Sequence, residues 1–163
     1  MTKQKMTICL WFDDQAEQAA NYYAGIFKDS SIGAISRYGK EGAEIHRKPA
    51  GSAMVVSFSL NGMNFMALNG GPIFKFNEAV SIVVSCETQE EIDHYWEALT
   101  LDGEESNCGW LKDKYGVSWQ IVPAALSKLM SAPDAAASQR VVKAFMQMKK
   151  FEIEKLIQAQ QGI

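Results

Sequence analysis

The sequence predicts an α+β fold in which one module occurs twice. The module is a strand, a capped helix and then antiparallel strands. A helix-capping residue followed three positions later by Glu occurs at Asp14 and again 74 residues further on, at Thr88. Strand patterns precede both caps and follow both helices. Paired modules of this kind are expected to form a curved, mixed or antiparallel sheet, with helices outside and a cleft inside.

The first module covers about residues 6–70. Its opening stretch, residues 6–12, is apolar and β-branched, which predicts a strand buried on both faces. Asp14 is predicted to cap a helix that ends near Lys28. Strands are predicted at 34–38, 52–60 and 63–68, a loop at 39–51, and a hairpin turn at Asn61-Gly62.

The second module covers about residues 78–123. A buried strand at 79–86 leads to a helix that Thr88 caps and Asp102-Gly103 ends. Strands are predicted at 107–112 and 117–122. The third strand after the helix is expected to be short or absent.

Residues 1–125 are therefore predicted to form one domain, followed by a linker and a C-terminal helix within 126–163. The linker is placed at 131–134, with Asp134 as the cap of one long helix over 135–160. The apolar side of residues 141–157 must pack on the chain's own core or on a second subunit, which favours a homodimer.

Composition narrows the class of protein. The 163 residues are 47% hydrophobic and 21% charged, typical of a globular protein, and the net charge of −3 argues against nucleic-acid binding. We expect no membrane span, because no apolar run approaches roughly 18 residues, and no signal peptide. Three widely spaced cysteines indicate free thiols and a cytoplasmic location.

Three motifs, in order, resemble the PhnB-like branch of the glyoxalase, or vicinal-oxygen-chelate, superfamily. They are LWFDDQAEQAANYY at 10–23, GGPIFKFNEAVS at 70–81 and CGWLKDKYGVSWQIVP at 108–123. Members of this branch are often described as 3-demethylubiquinone-9 3-methyltransferases. The resemblance implies paired βαβββ modules, a homodimer and a divalent metal held in the cleft.

The metal positions implied by the resemblance fall near Thr7, at 79–81 and on Gln120, and only Gln120 is a plausible ligand. Hydroxyl and amide groups are poor ligands for transition metals, so we expect no standard metal site and no metal cofactor. The methyltransferase description also lacks support, since Asp13-Asp14-Gln15 follows the first strand where an S-adenosylmethionine site usually has glycines.

The residues expected to line the cleft and bind a ligand are Thr7, Cys9, Trp11, Ser81, Trp110 and Gln120. Each has a plainer interpretation: the tryptophans and cysteines as core, Gln120 as a hydrogen-bonded cleft residue that shares a face with Ser118 and Val122. Cys86, just before a helix, is a weak candidate for a reactive thiol. No catalytic residue is assigned.

Three functions stay open. The first is a protein that binds an unidentified small molecule in the cleft. The second is an enzyme, either a metal-dependent lyase, isomerase or dioxygenase or the methyltransferase of the family description. The third is a dimeric scaffold with a vestigial cleft. A shared fold does not choose among them.

Overall fold

A computed structural model describes residues 6–131 and 134–163. The predicted linker at 131–134 includes two positions, 132 and 133, that lie outside these ranges, as do residues 1–5, on which the prediction of no signal peptide partly rests. The chain divides into two compact units, Met1–Phe76 (unit 1) and Asn77–Ile163 (unit 2). None of the helices in the described ranges has the length and apolarity to cross a bilayer.

Unit 1 is a four-stranded sheet with one long helix. Its elements are β1 (Ile8–Phe12), α1 (Ala16–Ile26), β2 (Ser31–Arg37), α2 (Ala43–His46), β3 (Ala53–Leu60) and β4 (Met63–Asn69). The strand order is β1-β4-β3-β2, and only the β1–β4 pair is parallel. The hairpin at Asn61-Gly62 is confirmed, with both residues at positive φ as a type I′ turn requires.

The predicted cap of α1 is wrong. Gln15, not Asp14, is the residue before the helix, and its side chain makes no capping hydrogen bond. The Oδ1 atom of Asn69, at the end of β4, accepts a hydrogen bond of 2.8 Å from the Ala16 amide instead. A cap that comes from 53 residues along the chain leaves no local sequence signal.

Unit 2 repeats this topology and adds three helices. Its elements are β5 (Ile82–Cys86), α3 (Gln89–Thr100), β6 (Glu104–Glu105), β7 (Trp110–Lys112), β8 (Ser118–Pro123), α4 (Leu126–Met130), α5 (Ala135–Phe145) and α6 (Ile153–Gln161). The order β5-β8-β7-β6 matches that of unit 1, again with the first pair parallel. The α+β class of two βαβββ modules is therefore confirmed, and β6, of two residues, is the expected short strand.

The helix of unit 2 is capped as predicted. The Oγ1 atom of Thr88 accepts a hydrogen bond of 3.3 Å from the Glu91 amide, and the Glu91 carboxylate accepts one from the Glu87 amide at 2.8 Å. Asp134 likewise caps α5 by accepting from the Ala136 amide. These caps lie next to their helices in sequence, which is why sequence alone identifies them.

The prediction of one long C-terminal helix is wrong, because α5 and α6 are separated by residues 146–152. The carbonyl groups of Met148 and Lys149 accept hydrogen bonds from the amides of Cys108 and Gly109, both at 2.7 Å. These carbonyls would otherwise accept bonds within a continuous helix. Contacts with a loop far away in sequence therefore break a pattern that is locally helical.

The apolar side of the C-terminal segment packs within unit 2. Val141 and Leu156 are fully buried, and Phe151 is 2% exposed. The Gln89 side chain holds the segment: it donates to the Phe151 carbonyl at 3.0 Å and accepts from the Ile153 amide at 2.9 Å. The chain's own core therefore takes up part of the apolar side, while Val142 and Phe145 are only partly buried.

Each sheet has two different faces. In unit 1 the helix-facing side carries Phe58 and Phe65, and Tyr23 of α1 stacks on Phe58 with ring centroids 6.2 Å apart. In unit 2 the helix-facing side carries Trp119 and Ile121, both essentially buried. The residues between these positions point the other way, since side chains alternate along a strand. We call this second side the open face of each sheet.

Candidate ligand-binding site

Cys9 and Trp11 lie on β1, and Thr7 is the residue before it. All three are at alternate positions on the open face of the sheet of unit 1, which we call sheet 1; the sheet of unit 2 is sheet 2. Thr7 lies in a shallow depression of about 330 Å³ whose other lining residues are mostly small and uncharged: Ser31, Gly33, Ser57, Phe58, Ser59, Asn64, Phe65 and Met66. Cys9 is exposed, and desolvation by its surroundings raises the pKa of its thiol. The described residues that line this depression offer hydroxyl groups and an amide but no charged side chain.

Trp11 is held by the segment that follows β4. Its Nε1 atom donates a hydrogen bond of 2.8 Å to the Gly71 carbonyl, and its ring meets Phe74 edge-on with centroids 4.9 Å apart. A β-carbon at Gly70 would lie 2.1 Å from the indole, so only glycine fits there. The Gly70-Gly71 pair therefore makes room for the Trp11 indole and accepts its hydrogen bond. A nucleotide-binding turn would lead directly into a helix, and here the chain continues without one.

Ser81, Trp110 and Gln120 come together on the open face of sheet 2. Gln120, on β8, donates from Nε2 to the Ser81 hydroxyl over 2.8 Å. Trp110 is the register partner of Gln120 on β7 and is partly buried. The structure thus gathers three of the six predicted residues on one sheet in unit 2, and the other three on the sheet of unit 1.

A cavity of about 550 Å³ lies on this face, and we call it the β7 cavity. Its lining residues are Glu78, Glu104, Glu105, Ser106, Asn107, Cys108, Trp110, Leu111, Lys112 and Ser118. Of the predicted ligand-binding residues only Trp110 is among them. A volume of this size suits a small organic molecule.

Sequence reasoning missed Ser118 as a site residue, although the period-two pattern placed it on the same face as Gln120. Ser118 is 2% exposed, and its Oγ atom has no hydrogen-bond partner among the described residues. A buried hydroxyl left unpaired costs about 1–3 kcal/mol. Such a group, in the wall of a cavity, is suited to bind a polar atom of a ligand.

The β7 cavity is mostly acidic. Lys112 forms an ion pair with Glu78, and this contact raises the pKa of the lysine and lowers that of the carboxyl. Glu105 accepts from the Trp96 indole at 2.9 Å and from Lys149 at 3.2 Å, and these bonds lower its pKa. Glu104, opposite Lys112 in the β6–β7 register, is the β6 carboxylate on the open face, since Glu105 pairs with buried, helix-facing Leu111.

The glutamates and Lys112 carried no sequence signal of a site. Glu78 lies in an irregular segment, and a two-residue strand such as β6 shows no alternation that would assign Glu104 and Glu105 to a face. Glu78, Glu104 and Lys112 come close together only in the folded chain, through the β6–β7 pairing and the Lys112–Glu78 ion pair.

The residues present do not fit the divalent metal that the superfamily resemblance implies. The implied positions carry the hydroxyls of Thr7 and Ser81 and the amide of Gln120, and the last two are hydrogen-bonded to each other. In residues 6–131 and 134–163 no three His, Cys, Asp or Glu side chains are grouped to hold a metal ion. Tight transition-metal sites use three or four good donors.

Cys86 does not have the character of a reactive thiol. It is fully buried at the end of β5, and burial together with the charges of Glu91 and Glu87 raises its pKa to about 12. The helix N-terminus nearby, which could lower the pKa of a thiol, is outweighed by this environment. The plainer interpretation of Cys86 as a core residue agrees with its burial.

Comparison with known proteins identifies the family. A model of the 3-demethylubiquinone-9 3-methyltransferase family matches residues 4–122. The solved structure of the PhnB protein from Bacillus cereus is 39% identical, with 74% of this chain and 100% of that chain covered and a TM-score of 0.67. No curated protein matches the sequence.

More distant structures share the fold alone. The fosfomycin resistance protein FosX from Mesorhizobium loti is 13% identical, with 81% of this chain and 100% of that chain covered and a TM-score of 0.55. A mutant FosX from Listeria monocytogenes, complexed with Mn(II) and 1S,2S-dihydroxypropylphosphonic acid, is 17% identical, with 78% and 98% covered and a TM-score of 0.54.

The family model spans most of the chain, and the Bacillus cereus protein is matched over its whole length. From its sequence and its paired βαβββ modules, this chain belongs to the 3-demethylubiquinone-9 3-methyltransferase family, the PhnB-like branch of the glyoxalase superfamily.

Proposed function

We propose that this protein binds a small organic molecule in the β7 cavity, without a standard metal triad. One observation carries the proposal: the buried Ser118 hydroxyl has no partner and lies in the wall of a cavity of about 550 Å³. A hydrogen bond from a ligand would satisfy it. Of the residues predicted from sequence, Trp110 is the proposed contact in the cavity, with Ser81 and Gln120 beside it on sheet 2.

The contacts proposed on unit 1 are Thr7, Cys9 and Trp11. Thr7 and Cys9 are exposed on the open face of sheet 1, and Trp11 is held beside them. Their hydroxyl, thiol and indole groups suit an uncharged ligand on unit 1 itself. This second site is secondary to the β7 cavity, because the depression around Thr7 is smaller and none of its described lining residues has an unpartnered buried group.

A metabolite library screened by thermal shift, with hits followed by NMR titration, tests the proposal. A Ser118→Leu variant fills the cavity, and a Ser57→Leu variant makes the same change on the open face of sheet 1, where Ser57 is exposed. We expect the first to abolish binding and the second to leave it within about twofold. Circular dichroism confirms that each variant folds, and Trp110→Ala replaces Ser118→Leu if that variant does not.

Hits that bind the Ser118→Leu variant, or its replacement Trp110→Ala, as well as they bind wild type would contradict the proposal. Hits lost only in Ser57→Leu would move the site to sheet 1. The absence of any hit would favour the scaffold hypothesis.

Two enzymatic alternatives are tested with the same protein. Fold neighbours that include a FosX complexed with Mn(II) make metal-dependent chemistry the first of them. Native mass spectrometry with Zn, Mn, Ni and Fe(II) would support it if one metal is bound per chain and lost in Gln120→Ala. The family description makes methyl transfer the second, and saturable binding of S-adenosylmethionine would support that reading.

Location and assembly are also proposals. The three cysteines are free, which supports a reducing compartment, and we propose the cytoplasm. The homodimer rests on family resemblance, and light scattering on the purified protein tests it. We propose no membrane or nucleic-acid partner, in keeping with a net charge of −3.

A further inference from the structure

The charges around the β7 cavity are unbalanced. Glu78, Glu104 and Glu105 line it, and Lys112 is the one cation among the lining residues. Lys149 pairs with Glu105 from outside the lining, at 3.2 Å. Glu105 is the register partner of buried, helix-facing Leu111 and accepts from the Trp96 indole of α3, so its carboxylate lies on the helix-facing side of the sheet. On the open face Glu78 and Glu104 stand against Lys112 alone, which leaves one negative charge in excess. In the described part of the chain Glu104 makes no ion pair, and it contributes to the negative potential around Lys112.

A hydrogen-bond acceptor and an aromatic ring accompany this charge. The Ser118 oxygen is buried and unpartnered, and Ser118 is the register partner of Lys112 across the β7–β8 pair. Trp110 is two residues from Lys112 on the same face of β7 and also lines the cavity. An indole face attracts cations, and Ser118 can accept an N–H hydrogen bond.

We propose that the β7 cavity selects an organic cation, an ammonium group on an apolar or aromatic body, because acidic side chains, the unpartnered Ser118 hydroxyl and the Trp110 ring line one pocket. This inference rests on the proposed function and adds the chemical class of the ligand. The ammonium group lies on the open face, where it donates to Ser118 Oγ and is attracted by Glu104, which is one strand further across the sheet, beyond Lys112. Its apolar body lies on Trp110. A carboxylate or phosphonate in the same place would be repelled by the glutamates.

A bare metal cation fits the cavity less well. The volume of about 550 Å³ is that of a site for an organic molecule rather than an ion. Lys112 also places a positive charge among the glutamates, which opposes a compact dication more than a singly charged ammonium.

Three probes with the same body and different charge test the inference: phenethylammonium, phenethyl alcohol and phenylacetate. They are titrated into the full chain at low salt and followed by NMR. We expect the ammonium to bind roughly three- to fivefold more tightly than the alcohol, and phenylacetate to bind least, since exposed charge pairs contribute modestly. Added salt should narrow the difference between the probes.

Two substitutions separate the charge from the hydrogen bond. Glu104→Gln should lower the affinity for the ammonium to about that of the alcohol and leave the alcohol unchanged. Ser118→Ala should weaken both. Glu97→Gln is the matched control, because it removes the same charge from an exposed position of α3 and should change neither affinity.

The outcomes distinguish this inference from the proposed function. Equal binding of the three probes, or tighter binding of phenylacetate, overturns the cation preference, while loss of that binding in Ser118→Leu keeps the cavity as the site. Failure of all three probes, with library hits that still depend on Ser118, also overturns this inference alone. Failure of both the probes and the library overturns both proposals.

Discussion

The two units share a strand order and differ in what their open faces present. Sheet 1 carries small uncharged residues around Thr7, Ser57 and Asn64, in a shallow depression of about 330 Å³. Sheet 2 carries Trp110, Lys112 and Glu104 on its open face, beside a cavity of about 550 Å³ whose lining also includes Glu78 and Glu105. The same βαβββ scaffold thus holds different chemistry, because only the helix-facing residues are needed to form the core of each unit.

Each unit also has its own buried polar residue that joins elements within that unit, and the two residues differ. In unit 1, Asn69 accepts from the Ala16 amide, donates to the Ala53 carbonyl at 3.0 Å, and through its own carbonyl accepts from the Tyr38 hydroxyl at 2.6 Å. In unit 2, Asp113 accepts from the Tyr115 and Val117 amides and from the Trp119 indole. Asn69 joins a helix to the sheet, whereas Asp113 closes the β7–β8 turn.

The largest effect is expected for Asp113→Ala. It leaves three donors without a carboxylate in a site that is 3% exposed. Each lost bond to a charged acceptor contributes about 1.5 kcal/mol or more, so we expect a loss of about 4 kcal/mol in the free energy of unfolding. Urea denaturation measures it, with Glu97→Ala as the exposed control. A loss below about 1 kcal/mol would show that water replaces the carboxylate.

The next effect concerns the start of α1. We expect Asn69→Ala to cost about 2–3 kcal/mol, because it removes a helix cap and leaves buried groups unpaired. Asp14→Ala should cost less than about 0.5 kcal/mol, since Asp14 is exposed and does not cap the helix. Equal losses in the two variants would restore Asp14 as the cap.

The two main helices should respond differently to loss of the residue at the N-cap position. Thr88→Ala removes the bond to the Glu91 amide and should cost about 1 kcal/mol. Gln15→Ala should be nearly neutral, because the Gln15 side chain makes no capping bond. The comparison uses denaturation midpoints at constant slope, and a larger cost at Gln15 than at Thr88 would contradict it.

The smallest effect under ordinary conditions is expected for the cysteines. Native protein treated with iodoacetamide near pH 8 should be alkylated at exposed Cys9 and spared at buried Cys86. Peptide mass spectrometry reads the labelled sites, and the urea-unfolded protein, labelled at both, is the control. Labelling of Cys86 ahead of Cys9 would contradict the prediction that the thiol of unit 1 is the more accessible of the two.

The raised pKa of Cys86 also predicts a pH dependence. The pKa of the Cys86 thiol is about 12 in the folded protein, above its ordinary value of 9.0, so the folded state holds the proton more strongly. The resulting stability is present below pH 9 and is lost as the pH rises from there toward 12. The free energy of unfolding of Cys86→Ala should fall less steeply over this range than that of wild type.

Much of the fold could be predicted because its signals are local. The Thr88 cap, the Asn61-Gly62 turn and the period-two burial of β8 each depend on a few neighbouring residues. The candidate site was predictable only in part. Alternation assigned Gln120 and Ser118 to one face, but no local pattern shows that the Ser118 hydroxyl lacks a partner.

Sequence by itself determined the two modules, their strand and helix types, and the family, since periodicity, caps and motifs are properties of adjacent residues. Tertiary structure alone decided that Asn69 caps α1, that residues 146–152 leave the helix to pair with Cys108 and Gly109, and that three glutamates surround one cavity. Each of these depends on groups far apart in the chain, whose hydrogen bonds and charges act only after folding brings them within a few ångströms.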